Sequence, residues 1–139
     1  MASAAAPGAA RLMGHPRFTS EVLDRWRDER EVEVETAAGP DAPEHRTIIW
    51  IVVDEAGRAL IRSYRGRTAR WYREALATGV GAILRGDERT EVSFERADDP
   101  ARIAACSAEL ARKYAGDPAT PTMVAHGVLD TTLELMPPG

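Results

Sequence analysis

The sequence contains 139 residues, of which 44% are hydrophobic, and this is enough for one globular domain with a buried core. Its formal net charge of -4 argues against a dedicated nucleic-acid-binding protein and against a protein that coats a membrane surface. A single cysteine, Cys106, excludes a disulfide within the chain and favours a reducing cytoplasm. No apolar run approaches the roughly 20 residues that are needed to span a bilayer.

The beginning of the chain is rich in small residues, is interrupted by Pro and Gly, and has no hydrophobic periodicity. This composition predicts a disordered N-terminal tail over residues 1–16 and a folded domain over residues 17–139. The tail lacks a basic region followed by a long apolar region, so we do not interpret it as a signal peptide.

A helix and a strand are predicted at the start of the domain. The pair Thr19-Ser20 offers a hydroxyl N-cap, and Val22, Leu23 and Trp26 form one apolar face after it. Residues 32–36 (VEVET) alternate strictly, which predicts a half-buried strand with its two glutamates on the solvent face.

A long hairpin is predicted next. Residues 47–53 (TIIWIVV) form a nearly continuous β-branched run, which is typical of a central strand buried on both faces. Residues 54–57 make a tight connection and residues 58–64 alternate again, so the two segments are predicted to pair. Within this run we interpret Trp50 as a core residue in preference to the wall of a binding site.

Two helices and three strands are predicted in the second half of the chain. Thr68 is predicted to cap a helix over residues 69–78, and the aspartates before Pro100 are predicted to cap another that ends at Gly116. The strands are predicted over residues 82–85, 90–96 and 131–136. Six short strands joined mostly by tight turns predict a mainly β, antiparallel barrel with flanking helices.

The middle of the chain concentrates positive charge. Six arginines lie within 16 residues, at positions 58, 62, 65, 67, 70 and 73. Inside an acidic protein, so many guanidinium groups favour a site for a small phosphorylated molecule over a polymer. Two alternatives stay open: a solvated surface with ion pairs, and nucleic-acid binding through the interleaved Tyr64, Trp71 and Tyr72, which the acidic charge of the whole chain disfavours.

Cysteine and histidine often take part in catalysis or metal binding, but the sequence predicts neither role for them here. Cys106 lies on the apolar stripe of a predicted helix and is interpreted as a buried small hydrophobic residue. The three histidines, His15, His45 and His126, are far apart and lack the spacing of metal ligands, so no metal site is predicted.

The segment from Arg46 to Tyr72 resembles a known superfamily. Two hydrophobic strands ending in Arg62-Ser63, then Gly66 and Trp71-Tyr72, are similar to the FMN-binding split barrels, which include pyridoxamine phosphate oxidases and F420-dependent nitroreductases. In detail the chain resembles an uncharacterised bacterial family of that superfamily, the domain of unknown function 2255. The motifs of that resemblance extend over nearly the whole chain and include Arg46-Thr47, Ile49-Trp50, Arg70-Trp71-Tyr72, Lys113-Tyr114 and Thr131-Thr132-Leu133.

The resemblance implies a six-stranded antiparallel split β-barrel that binds a flavin at a homodimer interface and acts as an oxidoreductase of unknown substrate. By position, the residues implied to hold the cofactor phosphate and its ring are Arg46, Arg62, Ser63, Arg65, Arg67 and Trp71. The cofactor would supply the hydride chemistry, while the protein would orient it and exclude water.

The chain departs from the deazaflavin enzymes in one loop. These enzymes carry a Gly/Ser/Lys-rich loop before the second strand, whereas residues 39–45 contain two acids that would repel the polyglutamyl tail of F420. FMN is therefore favoured over F420. Some split barrels bind no flavin, so the alternative is a non-catalytic barrel that binds a small anionic ligand.

Overall fold

The computed structural model describes residues 17–139, and the predicted disordered tail lies outside the described residues. The helices are α1 (Ser20–Asp28), α2 (Arg70–Thr78), α3 (Pro100–Lys113) and α4 (Thr120–Met123). The strands are β1 (Val32–Ala37), β2 (Glu44–Ile49), β3 (Val52–Val53), β4 (Ala59–Ile61), β5 (Val80–Arg85), β6 (Glu88–Arg96) and β7 (Leu133–Met136). Short 3-10 helices cover Gly66–Thr68 and His126–Thr131.

All seven strands belong to one antiparallel sheet, in the order β2-β1-β5-β6-β7-β4-β3. The sheet curls into a half-barrel with the helices around it. This confirms the predicted mainly β, antiparallel architecture with flanking helices. The strand number differs from the predicted six because the segment expected to be one central strand is divided into two.

That division separates two parts of the TIIWIVV run. Its first part lies in β2 and pairs with β1, with Ile49 opposite Val32. Its last part, β3, pairs with β4 at the other edge of the sheet, with Val52 opposite Leu60. The prediction of a strand buried on both faces is wrong for β2, where Ile48 is 63% exposed, because β2 is an edge strand and its outer face is not covered.

The interior consists of two apolar clusters. The larger one lies between the sheet and helices α1 and α2 and contains Trp26, Val34 and Trp71. The smaller one lies where α3 and α4 pack against β3 and β4, and contains Cys106, Leu110 and other residues. Cys106 is completely buried, which confirms its interpretation as a small hydrophobic residue. The sheet therefore carries an apolar layer on both sides at β3 and β4.

Local signals set most helix ends. Thr19 accepts a hydrogen bond from the backbone N–H of Val22 at 3.3 Å, as predicted for the N-cap of α1. Asp99 caps α3 in the same way. The prediction for Thr68 is wrong, because α2 begins one residue later than expected, with Ala69 at its N-cap and no capping side chain. Gly79, with a φ of 74°, ends α2 as predicted.

The solvent face predicted for β1 is also partly wrong. Glu35 is only 3% exposed, because its carboxylate accepts hydrogen bonds from Arg46 Nε at 3.0 Å and from Arg89 Nη1 at 2.6 Å. The arginines compensate its charge, and together they hold the pKa of Glu35 below its usual range against the opposing effect of burial. Among residues 17–139 there is no helix long and apolar enough to cross a membrane.

Candidate functional site

A cleft of about 780 Å³ opens beside the N-terminal end of α2, between that helix, the end of β2 and the segment that contains α4. Its charged lining residues are Glu31, Arg62, Arg65, Arg70, Arg73 and Asp117. Its aromatic lining residues are Trp50, Tyr64 and Trp71. Four guanidinium groups against two carboxylates give the cleft a net positive charge inside a protein that is negative as a whole.

Arg62 forms the buried part of this basic lining. It is 1% exposed, and four of its five N–H groups donate hydrogen bonds to the protein. The acceptors are the hydroxyls of Thr132 and Ser107, both at 2.9 Å, and the carbonyls of Met123 and Ile103, both at 3.1 Å. Arg62 thereby joins α3, α4 and the residue that precedes β7 at the wall of the cleft.

The charge of Arg62 is not balanced by a nearby carboxylate. None lies within 4 Å of its guanidinium among residues 17–139, although many other arginines of the domain form such pairs. Burial lowers the pKa of Arg62 from its ordinary value, and the neighbouring Cys106 thiol opposes this shift. Because Arg remains charged in proteins, the wall of the cleft contains a buried cation that lacks an anionic partner.

Three more arginines lie at the rim. Arg65, Arg70 and Arg73 are exposed, and none of them forms an ion pair with another residue of the described chain. Arg70 and Arg73 are one turn apart on α2, so their side chains lie on the same face. Because Ala69 provides no capping side chain, the first backbone N–H groups of α2 add oriented donors near these guanidiniums.

The aromatic residues differ in packing and exposure. Trp50 stacks in parallel on Tyr114, with ring centroids 3.8 Å apart, and the Tyr114 hydroxyl donates a hydrogen bond to the Arg30 carbonyl at 2.7 Å. Trp71 is 5% exposed and packs edge-on against Tyr72. Both tryptophans are therefore fixed walls, whereas Tyr64 is 53% exposed at the mouth of the cleft.

A buried carboxylate fixes α2 to the sheet. Glu74 accepts a hydrogen bond from the Thr36 hydroxyl at 2.9 Å, and His45 Nδ1 lies 3.0 Å from its other oxygen. Glu74 follows Arg73 directly on α2, so the same contacts fix the part of the helix backbone that carries the two rim arginines. The part of the chain that the structure describes contains no cluster of His, Cys, Asp and Glu suited to a metal ion.

The residues predicted from sequence to bind a cofactor separate into two groups. Arg62, Arg65 and Trp71 line the cleft, and the other three lie outside its lining. Arg46 projects from β2 toward Glu35, and Arg67 pairs with Asp130 at 3.3 Å. The buried Ser63 hydroxyl donates a hydrogen bond to the Gly66 carbonyl at 2.7 Å and so stabilises the turn before α2.

Six of the nine charged and aromatic lining residues were not predicted from sequence as cofactor-binding residues, namely Glu31, Trp50, Tyr64, Arg70, Arg73 and Asp117. For the two α2 arginines a usable signal existed, since a spacing of three residues at the start of a helix places two guanidiniums on one face beside the N-terminal amides. For Glu31 the local sequence contained no signal, because its position beside the cleft depends on the pairing of β1 with β2.

Comparisons with known proteins agree with this architecture. The chain is similar in fold to the heme storage protein HutZ of Vibrio cholerae, with a TM-score of 0.63 and 12% identity over 88% of this chain and 92% of that one. It is also similar to a conserved hypothetical protein of Mycobacterium tuberculosis, with a TM-score of 0.61 and 17% identity over 85% and 78% of the two chains. At such identities the likeness shows the fold alone, and no curated protein matches.

A family model described as an uncharacterized protein conserved in bacteria (DUF2255) matches residues 22–135, which include all seven strands except the last residue of β7. The match extends over most of the chain and agrees with the resemblance found in its motifs. The chain therefore belongs to the DUF2255 family.

Proposed function

We propose that this protein binds a planar, phosphate-bearing cofactor in the basic cleft, with FMN as the first candidate, and acts with it as an oxidoreductase. The observation that carries the proposal is the buried Arg62, a cation without a carboxylate partner in the wall of a cleft of about 780 Å³. A volume of this size lies within the range of small-molecule sites.

The free energy of Arg62 gives the physical reason. Removing a guanidinium from water is costly unless opposite charge or hydrogen bonds replace the solvent. Four hydrogen bonds from Arg62 to neutral groups satisfy four of its five donors but leave its net charge uncompensated. An anion bound in the cleft would supply the missing charge.

The phosphate is expected between the N-terminal end of α2 and the rim arginines. Arg70 and Arg73 would bind it with charged hydrogen bonds, and the first amides of α2 would add oriented donors. Arg65 approaches the same region from the turn that precedes α2, whose geometry is fixed by the Ser63 hydroxyl. None of the three needs to break an ion pair with the described chain in order to do so.

The ring system is expected against the fixed aromatic walls. Trp50 is held in position by its stack on Tyr114, and Trp71 by the core, so neither loses much conformational entropy when a ring packs on it. FMN would supply hydride transfer when bound. The residues of this chain would bind its phosphate, orient its ring and restrict the access of water.

F420 remains the weaker flavin candidate. The acidic loop that disfavours its tail leads into β2 at the end opposite the cleft, where Gly39, Pro40 and Glu44 line a separate groove. The two acids of this loop therefore repel an anion in the cleft only weakly, from a distance. Measuring the affinities of FMN and F420 side by side decides between the two cofactors.

Heme is a second candidate, because the chain shares its fold with a protein named for heme storage. The carboxylates of heme would suit the rim arginines. However, the cleft lining contains neither His nor Cys among residues 17–139, and only Met123 and Tyr64 offer an atom that serves as an axial ligand in other proteins. This scarcity of axial ligands for the heme iron favours a flavin over heme. The alternative to an enzyme is a non-catalytic, colourless barrel that binds another small anion.

An absorbance spectrum of the purified protein, followed by titration with FMN, F420 and heme, tests the proposal. We expect saturable FMN binding that Arg70→Ala and Arg73→Ala each weaken at least about tenfold, since each removes a charged hydrogen bond. Arg67→Ala is the matched control, because Arg67 comes from the same arginine run but pairs with Asp130 outside the cleft. Equal losses in the control and the cleft variants, or no FMN binding, would contradict the proposal.

We also propose that the protein is a homodimer whose interface covers the mouth of the cleft. Two large side chains at the mouth are well exposed, Ile48 at 63% and Tyr64 at 53%, and a second copy would bury them. Light scattering during size-exclusion chromatography tests this. We expect a dimer for the wild type and a monomer for Ile48→Arg, while Leu76→Arg, which changes an exposed apolar residue outside the cleft, stays dimeric.

A further inference from the structure

The charged side chains at the rim of the cleft fall into a basic and an acidic group. The basic group consists of Arg65, Arg70 and Arg73 around the beginning of α2. The acidic group consists of Glu31 and Asp117 beside the Trp50–Tyr114 stack. Binding sites with a separation of this kind favour a ligand whose own charges or hydrogen-bonding groups are arranged in the same order.

Strand pairing fixes the position of the acidic group. Val32 and Ile49 are the last pair of the β1–β2 register, and Glu31 and Trp50 are the residues that directly adjoin this pair. Asp117 joins this group through an ion pair with Arg30, whose guanidinium lies 6.0 Å from the Trp50 ring centroid. Both carboxylates therefore lie near the ring that forms the aromatic wall.

The two acids are not equivalent. Asp117 already accepts hydrogen bonds from Arg30 and from the backbone N–H of Ala119, the latter at 2.8 Å. Glu31 is exposed, lines the cleft, and makes neither an ion pair nor a side-chain hydrogen bond with another residue between 17 and 139. Glu31 is thus the carboxylate in this group that can accept a hydrogen bond from a ligand.

We infer that Glu31 is a specificity-determining residue, which selects a nitrogen heterocycle with a ring N–H at the Trp50 end of a ligand whose phosphate lies at α2. This inference rests on the proposed cofactor function and narrows its ligand class. A heterocyclic phosphate presents its donor edge to Glu31 and its anion to the arginines. A planar ligand with carboxylates and no ring donor gains nothing from Glu31.

Oxidised FMN belongs to the inferred class, because its ring system has one N–H, at N3, and its phosphate is at the end of a flexible chain. FMN methylated at N3 has the same ring and phosphate but lacks the donor. The pair of ligands therefore isolates the contact that Glu31 is inferred to make.

The experiment measures the dissociation constants of both ligands for the unsubstituted protein and for Glu31→Ala, by quenching of flavin fluorescence. We expect Glu31→Ala to weaken FMN about tenfold and the N3-methyl analogue less than about twofold, since only FMN loses a charged hydrogen bond. Glu33→Ala is the matched control, because Glu33 lies on β1 outside the cleft lining and should change neither constant.

The outcomes separate the two proposals. If wild-type protein binds FMN but Glu31→Ala changes both ligands equally or neither, the role of Glu31 is wrong and the cofactor function stands. If wild-type protein binds neither flavin, the proposed function fails and the inference about Glu31 fails with it.

Discussion

Replacing Arg62 tests whether this buried guanidinium holds the second half of the domain together. In the folded protein it donates hydrogen bonds to α3, to the end of α4 and to the residue before β7. These acceptors lie between 41 and 70 residues away along the chain. Arg62→Ala removes all four hydrogen bonds and leaves a cavity beside the cleft.

The magnitude follows from two opposing terms. A hydrogen bond from a charged donor contributes about 1.5–3 kcal/mol, so four of them contribute roughly 6–12 kcal/mol. Burying the cation without a carboxylate costs several kcal/mol, which Arg62→Ala recovers. Because the two terms oppose each other, we expect Arg62→Ala to lower the free energy of unfolding by about 3–5 kcal/mol, a large value typical of breaking a buried hydrogen-bond network. In a domain of this size that corresponds to a fall in Tm of roughly 10–20 °C.

Urea denaturation followed by far-UV circular dichroism measures this difference. Arg112→Ala is the control, because Arg112 lies on α3 with its side chain 68% exposed and pairs only with Glu109. We expect that substitution to change the free energy of unfolding by less than about 0.5 kcal/mol. Equal urea midpoints for Arg62→Ala and Arg112→Ala would refute the role of Arg62 as a structural tie, whatever happens to ligand binding.

Three further predictions concern other parts of the fold. Burial raises the pKa of the Cys106 thiol to about 11, so we expect no reaction with iodoacetamide near neutral pH until urea unfolds the protein. Burial lowers the pKa of Lys113 to about 8 from an ordinary 10.5, so the contribution of Lys113 to stability should rise with pH from about 8, and the raised pKa of Cys106 should oppose that rise above its ordinary value of 9.0. Lys113→Met should abolish that rise in urea midpoint. A Cβ on Gly81 would lie 2.9 Å from the Phe94 ring and even closer to a backbone oxygen of β1, so Gly81→Ala should cost about 2–4 kcal/mol, whereas Gly39→Ala, with open space around it, should cost little in the same assay.

Local sequence signals were sufficient for the elements that short-range interactions define. The caps of α1 and α3 depend on one side chain and a backbone N–H three residues away, and both were predicted from the pair Thr19-Ser20 and the aspartates before Pro100. The β5–β6 hairpin forms between the two segments predicted as strands, although its turn has two residues, Gly86 and Asp87, where a connection over residues 86–89 was predicted. In each case the stabilising partner is within a few residues, so the pattern contains the necessary information.

The errors lie where the stabilising partner is distant in sequence. TIIWIVV has the composition of one buried strand, but Ile48 stays exposed because the edge of the sheet falls at β2. Glu35 occupies a position that an alternating pattern assigns to solvent, yet Arg46 and Arg89 from two neighbouring strands cover it. The order of the strands in the sheet determines both outcomes. The spacing of hydrophobic residues within one segment carries no information about that order.

The arginine run shows the same limit within the candidate site. Sequence identified the concentration of guanidiniums correctly, but it treated Arg62 and Arg67 as equivalent phosphate ligands. Tertiary structure makes them different: Arg62 is enclosed by helices that follow it in sequence by at least 41 residues, while Arg67 turns outward to Asp130. The burial of one guanidinium creates the charge that an anion can balance, and the exposure of Arg70 and Arg73 lets that anion enter. A basic run therefore predicts that an anion site exists, whereas the packing of distant elements decides which of its arginines form the site.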